Sequence, residues 1–208
     1  MIRRSKLFDR DVQERDARLF LVIVEGAETE PAYFRALGDR GLIPKHRVKL
    51  VVYSPENHAS SPEHLLALAE RKTEEIALLR DDEVWLVLDV DLQSGSNRKR
   101  QLHQLDHSCR QRGWNVAISN PCFEVWYWLH LSEQLSAIDE TCASVEVALR
   151  QTLGGYSKKT PPAACLEGAT LALAIQRATS LDTDPRAPIP TSKGSRLYRL
   201  FERLAPSR

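Results

Sequence analysis

The sequence predicts an α/β protein with a parallel four-stranded sheet, helices on both of its faces, and a helical portion after it. Three observations carry that reading. Four apolar runs, "LFLVIV" (19–24), "VKLVVY" (48–53), "VWLVLDV" (84–90) and "NVAIS" (115–119), are nearly continuous and rich in Val, Ile and Leu. Strands covered on both faces have that texture, whereas a half-exposed strand alternates. Segments of helical period separate the runs, so the order is β-α-β-α-β-α-β, the pattern of a parallel sheet with right-handed crossovers. After residue 120 only helical segments follow.

Each element has a local reason. "TEPAYFRALGDRG" (29–41) has Pro31 early, where a helix tolerates it, and Gly41 late, where helices stop. "SPEHLLALAERKTEEIALLRDD" (61–82) opens on Ser-Pro-Glu, and "RKRQLHQLDHSCRQRGW" (98–114) closes at Gly113. In the second half, helices are expected over 121–135, 142–155, 162–181 and 195–204, with a proline-rich loop over 182–192. The organisation is therefore an α/β core over residues 1–120, with a helical portion over 121–208 packed on it.

Composition bounds the function. With 208 residues and 42% apolar content the chain can bury a sizeable core. Its formal net charge of +1 does not mark a nucleic-acid binder, so a phosphate-binding surface has to be local. No apolar stretch is long enough to cross a membrane. The N-terminal twenty residues carry both signs of charge and no apolar core, unlike a signal or transit peptide. Four cysteines (109, 122, 142, 165) without a CxxC pair read as reduced thiols of a cytoplasmic protein, ahead of a zinc site.

The chemistry is acidic. Open α/β sheets build sites at the carboxyl ends of their strands. Glu25 follows the first strand, and Asp89 and Asp91 end the third. Residues i and i+2 of a strand share a face, so the two aspartates project together and Val90 turns away. If the first and third strands are neighbours, Glu25 joins them. Three carboxylates so close repel unless a cation neutralises them, and hard oxygen donors without paired Cys or His favour Mg²⁺ or Mn²⁺. The plain alternative for Glu25 alone is a helix cap or a solvated loop acid. Glu25 and Gly26 belong to the proposed chemistry, Gly26 as a cofactor-binding position, while Thr29 and Glu30 start the next helix.

Further along, Asn120 is positioned to cap a helix with Pro121 in its first turn. Glu124 suits the helix dipole or a catalytic role. Phe123, Trp126, Tyr127 and Trp128 are mostly core, with room for one to stack a base, and His130 reads as a satisfied core histidine. Phosphate-binding charge comes from short basic loops: "SNRKR" (96–100), "GGYSKK" (154–159) and "SKGSR" (192–196). Arg98, Lys99, Arg100, Asn120 and Lys193 are the candidate substrate contacts, although a solvated surface role is the default for any one cation. No Walker motif is present, so ATP hydrolysis belongs to a partner.

The pairing of "LVIVEG" with "VLDVD" resembles the Toprim domain of topoisomerases, primases and OLD-type nucleases. More closely, "VEGAETEPAYFRAL", "VLDVD", "NPCFEVWYWLH" and "PTSKGSRLYRL" resemble the RloB-like family, in order, over residues 18–204. Family members carry Arg or Lys between the aspartates and another acid after them; here the text is D-V-D-L-Q, with two aspartates. The resemblance implies a Toprim-like fold, a phage-defence role in abortive infection, and an ABC-type or SMC-like ATPase partner. It favours function for Glu124, and it singles out Lys158 as the lysine matching related sequences.

The expectation is a magnesium-dependent nuclease. Glu25, Asp89 and Asp91 are its metal ligands, with Glu124 and Lys158 beside them in catalysis, and RNA, tRNA or DNA is its substrate. Glu25 can instead serve as general acid/base. Two competing classes stand beside it: a non-catalytic adaptor of an ABC-type ATPase complex, and nucleotidyl transfer by the same metal chemistry. A homo-oligomer is left open.

Overall fold

The computed structural model describes residues 17–55, 61–91 and 97–205. The expectations for residues 1–16, and for Ser96 within the first basic loop, lie outside them. Chain order is β1 (Arg18–Val24), α1 (Thr29–Asp39), β2 (Val48–Tyr53), α2 (Pro62–Glu75), β3 (Glu83–Asp89), α3 (Arg98–Gln111), β4 (Asn115–Asn120), α4 (Glu124–Leu131), α5 (Cys142–Leu153), α6 (Gly168–Leu181), β5 (Gly194–Ser195) and α7 (Leu197–Leu204).

The four expected strands form a parallel set ordered β2-β1-β3-β4. The first and third strands are thus neighbours. The sheet is corrected in one respect: it has five strands, because β5 pairs antiparallel with the end of β4 through Ser119–Ser195 and Asn120–Gly194. Two residues inside "SKGSR" carry too little pattern to announce a strand.

Both faces of the central strands β1 and β3 are covered, as their unbroken apolar runs require, whereas β2, expected to be equally buried, is half-buried at the sheet edge. Phe20, Val22 and Val24 of β1, with Trp85 and Val87 of β3, pack against α1, α4 and α7. Leu19, Leu21 and Ile23, with Val84, Leu86 and Leu88, pack against α2 and α3. The first cluster also takes in Val145, Leu149, Ala174 and Leu200, so the helical second half shares a core with the sheet.

Helix boundaries shift where backbone chemistry overrules pattern. The 61–82 segment is helical only over Pro62–Glu75, capped by Ser61, whose hydroxyl accepts from the His64 N–H at 3.3 Å. The 162–181 segment divides into a short 3₁₀ turn, Ala163–Cys165, and α6. Asn120 does not cap α4, which starts four residues later at Glu124. Its amide donates instead to the Ser192 carbonyl at 3.1 Å, tying β4 to the chain that leads into β5. The four aromatics from Phe123 to Trp128 are all buried. None offers a free face on the surface, though Phe123 forms part of the wall described next. His130 is a core histidine: Nε2 lies 3.2 Å from the Tyr33 hydroxyl and Nδ1 3.4 Å from Thr170 Oγ1.

Candidate functional site

A cleft of about 480 Å³ opens at the carboxyl ends of β1 and β3, lined by Glu25, Gly26, Glu28, Thr29, Glu30, Asp89, Asp91, Cys122, Phe123, Glu124, Cys142 and Lys158 among others. Strand parity puts it there. Asp89 continues the series Trp85, Val87, which faces α1 and α4, so its side chain points into the layer where those helices begin. Val90 packs in the opposite core, as expected. Asp91 lies past the strand with φ of 29°, a left-handed backbone that Asp tolerates better than most residues, and its N–H bonds the Pro121 carbonyl at 3.0 Å. Both aspartates reach one cleft, but a turn and not strand period brings the second there.

Glu25 caps no helix. Its Oε2 accepts from the Asp89 N–H at 3.0 Å, stitching β1 to β3 where the ladder ends. Both its oxygens also take Arg98 Nη2, at 2.8 and 2.6 Å. Burial pushes this carboxyl up from its ordinary pKa, while Arg98 and the Asp89 N–H pull against that. Asp89 is pushed well above the usual carboxylate range by burial and by neighbouring Glu30 and Glu25. Its Oδ1 is buried without a hydrogen-bond partner.

Glu30 holds the helix-start position expected of it, and its side chain does more than that position announces. It does start α1, but it is 4% exposed and turned into the cleft, where Oε1 accepts the Gly26 N–H at 2.9 Å. Burial raises its pKa to about 7, with Glu124 and Glu25 adding to the effect. Glu124, at the first turn of α4, accepts from Tyr156 Oη at 3.0 Å and lies 3.4 Å from Thr29 Oγ1. Tyr156 was not foreseen either. The signal for both was positional: Glu30 opens the helix after the motif glutamate, and Tyr156 sits in the "GGYSKK" turn.

The basic candidates separate. Lys158 reaches the cleft, 2.9 Å from Glu146 and 3.9 Å from Glu124. Desolvation works against its charge, but these acids outweigh that and raise its pKa. Arg98 is no loop cation: it is the first residue of α3, buried, and paired with Glu25. Lys99 and Arg100 are exposed on the same helix. Lys193 donates to the Ile138 carbonyl at 2.6 Å and, like Asn120, does not line the cleft.

Two cysteines meet at the cleft wall. Neighbouring Cys142, with burial, pushes the Cys122 thiol far up. All four cysteines are free thiols.

Six carboxyl groups in one cleft offer the hard oxygen donors that Mg²⁺ and Mn²⁺ prefer, and the unpartnered Asp89 Oδ1 fits such a cation. Among the described residues no three His, Cys, Asp or Glu side chains already stand in a metal-holding arrangement. Glu25 is turned into Arg98 instead.

Fold and cleft together define an α/β protein with a mostly parallel sheet and an acidic site where the central strands end. The chain belongs to the RloB-like protein family, whose model matches residues 20–204, nearly its whole length. No curated protein and no solved structure gives a significant match to it. No helix among the described residues is long and apolar enough to cross a membrane.

Proposed function

We propose that this chain is a metal-dependent phosphodiesterase with a Toprim-like core, a nuclease acting on RNA, tRNA or DNA. The observation that carries the reading is the gathering of Glu25, Glu30, Asp89, Asp91 and Glu124 around one cleft, with a buried carboxylate oxygen left without a partner. Glu25, Asp89 and Asp91 are the ligands for Mg²⁺ or Mn²⁺. A divalent ion bound there polarises a phosphate and lowers the pKa of a water. The protein's own groups do the rest. Glu30, with its pKa near 7, holds or releases a proton at its carboxyl at neutral pH. Lys158 meets charge that builds on the phosphate oxygens. Lys99 and Arg100, exposed beside the site, steer the polyanion. The family resemblance supports a role in phage defence, with toxicity governed by an ABC-type or SMC-like ATPase partner.

One observation favours a second reading. Glu25 already has a cationic partner in Arg98, which suits a non-catalytic adaptor of an ATPase complex. A single assay separates the two. Purified protein is incubated with total RNA and with plasmid DNA in Mg²⁺ or Mn²⁺, beside Glu25→Ala and Asp89→Ala. The nuclease reading expects metal-dependent cleavage that falls by about 100-fold or more in each variant. Wild type and variants behaving alike would sink it.

A further inference from the structure

A single guanidinium closes the space between the ends of β1 and β3. Arg98 Nη2 donates to both Glu25 oxygens and, at 2.7 Å, to the Asp89 carbonyl, which also accepts Arg98 Nε at 3.2 Å. The Arg98 side chain is 5% exposed and that of Glu25 15%. The placement is costly in two ways. Arg98 opens α3, where the helix dipole repels a cation. A buried guanidinium also loses its hydration, a penalty that only a good partner offsets. Glu25 is that partner, so the ion pair and not the helix explains the arginine.

Lone pairs show what the pair excludes. An ionised carboxylate offers roughly four acceptor positions. Glu25 Oε2 uses two, for the Asp89 N–H and for Arg98, and Oε1 uses one, for Arg98. While Arg98 stays, Glu25 can meet a hard cation through one position on one oxygen. Bidentate ligation, or a turn of Glu25 toward Asp89, requires the guanidinium to withdraw. Two positive charges beside one carboxylate also repel.

Resting on the metal reading of the cleft, we propose that Arg98 is an internal counter-ion that competes with a divalent cation for Glu25. The arginine balances the acidic cleft without metal and cedes Glu25 when metal binds. It is a positioning residue: it acts on the reaction through Glu25.

The test is Mn²⁺ binding by calorimetry, with thermal melting in chelator and in Mn²⁺, for wild type, Arg98→Met and Arg98→Lys. In chelator Arg98→Met should melt lower than wild type. It should bind Mn²⁺ about tenfold more tightly and show the larger Mn²⁺-dependent rise in melting temperature. Arg98→Lys, a charge without the fork, should fall between. A folded Arg98→Met that binds Mn²⁺ no better than wild type overturns the proposal. Should that variant not fold, wild type still decides. Its Arg98 Nε–H resonance, assigned by its loss in Arg98→Lys, should move on Mg²⁺ saturation; an unmoved resonance overturns the proposal equally. Mn²⁺ binding to neither wild type nor Arg98→Met removes the metal reading together with this one. Equal binding to both, abolished by Asp89→Ala, removes this one alone.

Discussion

Gly26 explains why the smallest residue follows the motif glutamate. A Cβ there would lie 2.1 Å from Glu30 Oε2, inside any van der Waals limit. The Glu30 carboxyl occupies that space because it accepts the Gly26 N–H. Gly26→Ala should therefore expel Glu30, strand a part-buried N–H and cost about 1–3 kcal/mol. Urea unfolding of Gly26→Ala beside Gly26→Ala/Glu30→Ala checks the cause. The clash account expects the second substitution to recover part of the loss; an additive or larger loss refutes it. Glycine at this position thus gives steric permission for an acid four residues on.

At the scale of elements, the proline-rich stretch before β5 is held by charge. Arg196, 2% exposed, pairs with both oxygens of Asp182 at 3.0 Å and bonds the carbonyls of Asp184 and Ala187. Tyr198 and Arg199 bond the same aspartate at 2.9 and 3.1 Å. That knot fixes the chain entering β5, which gives the sheet its fifth strand. Removing one member of a buried pair costs about 3–5 kcal/mol, because it leaves a charge without a partner. Asp182→Ala should lose that much in chemical denaturation, and Asp182→Leu/Arg196→Leu much less. A single variant as stable as wild type would show the pair to be idle. Sequence pattern identified this stretch as a loop but not its anchor, since Asp182 and Arg196 stand fourteen residues apart with no period between them.

Across the whole molecule, the sheet's α1 face holds a buried polar set inside an aromatic core. Trp126 stacks on Phe201 with ring centroids 5.2 Å apart, and its Nε1 donates to the Tyr33 hydroxyl at 2.8 Å. Truncating Trp126 to Ala should cost about 3–5 kcal/mol, read by denaturation. His130 lies against the same tyrosine, and burial lowers its pKa to about 3, helped by Arg177. An unfolded histidine titrates near ~6.5. Between those values the unfolded chain binds more protons, so this group's contribution to stability is lost as pH falls from about 6.5 toward 3. His130→Gln should be less stable than wild type at pH 7 but have a flatter decline below pH 6, by up to about 1.4 kcal/mol per pH unit. Equal slopes would exclude His130 as the source. The buried acids Glu25, Glu30 and Asp89, all raised, act with the opposite sign, which is why the comparison is made against a variant.

The sequence by itself determined the four parallel strands, the edge at which a site would form, and the family. These follow from chain-local facts: apolar runs covered on both faces, helical periods between them, and acids at strand ends. Convergence of Glu25 and Asp89 needed only that β1 and β3 be neighbours, which the structure confirms. Tertiary structure alone decided the rest. Glu30 and Thr29 turn inward because α1 begins over the sheet edge. Arg98 leaves its basic run to become the buried partner of Glu25. Asn120 ties strand to loop, and Tyr156 reaches Glu124 across the cleft. Each depends on where a side chain from one element lands on another, and desolvation and pairing across long sequence separations set that position. Residue type and spacing carry no record of it.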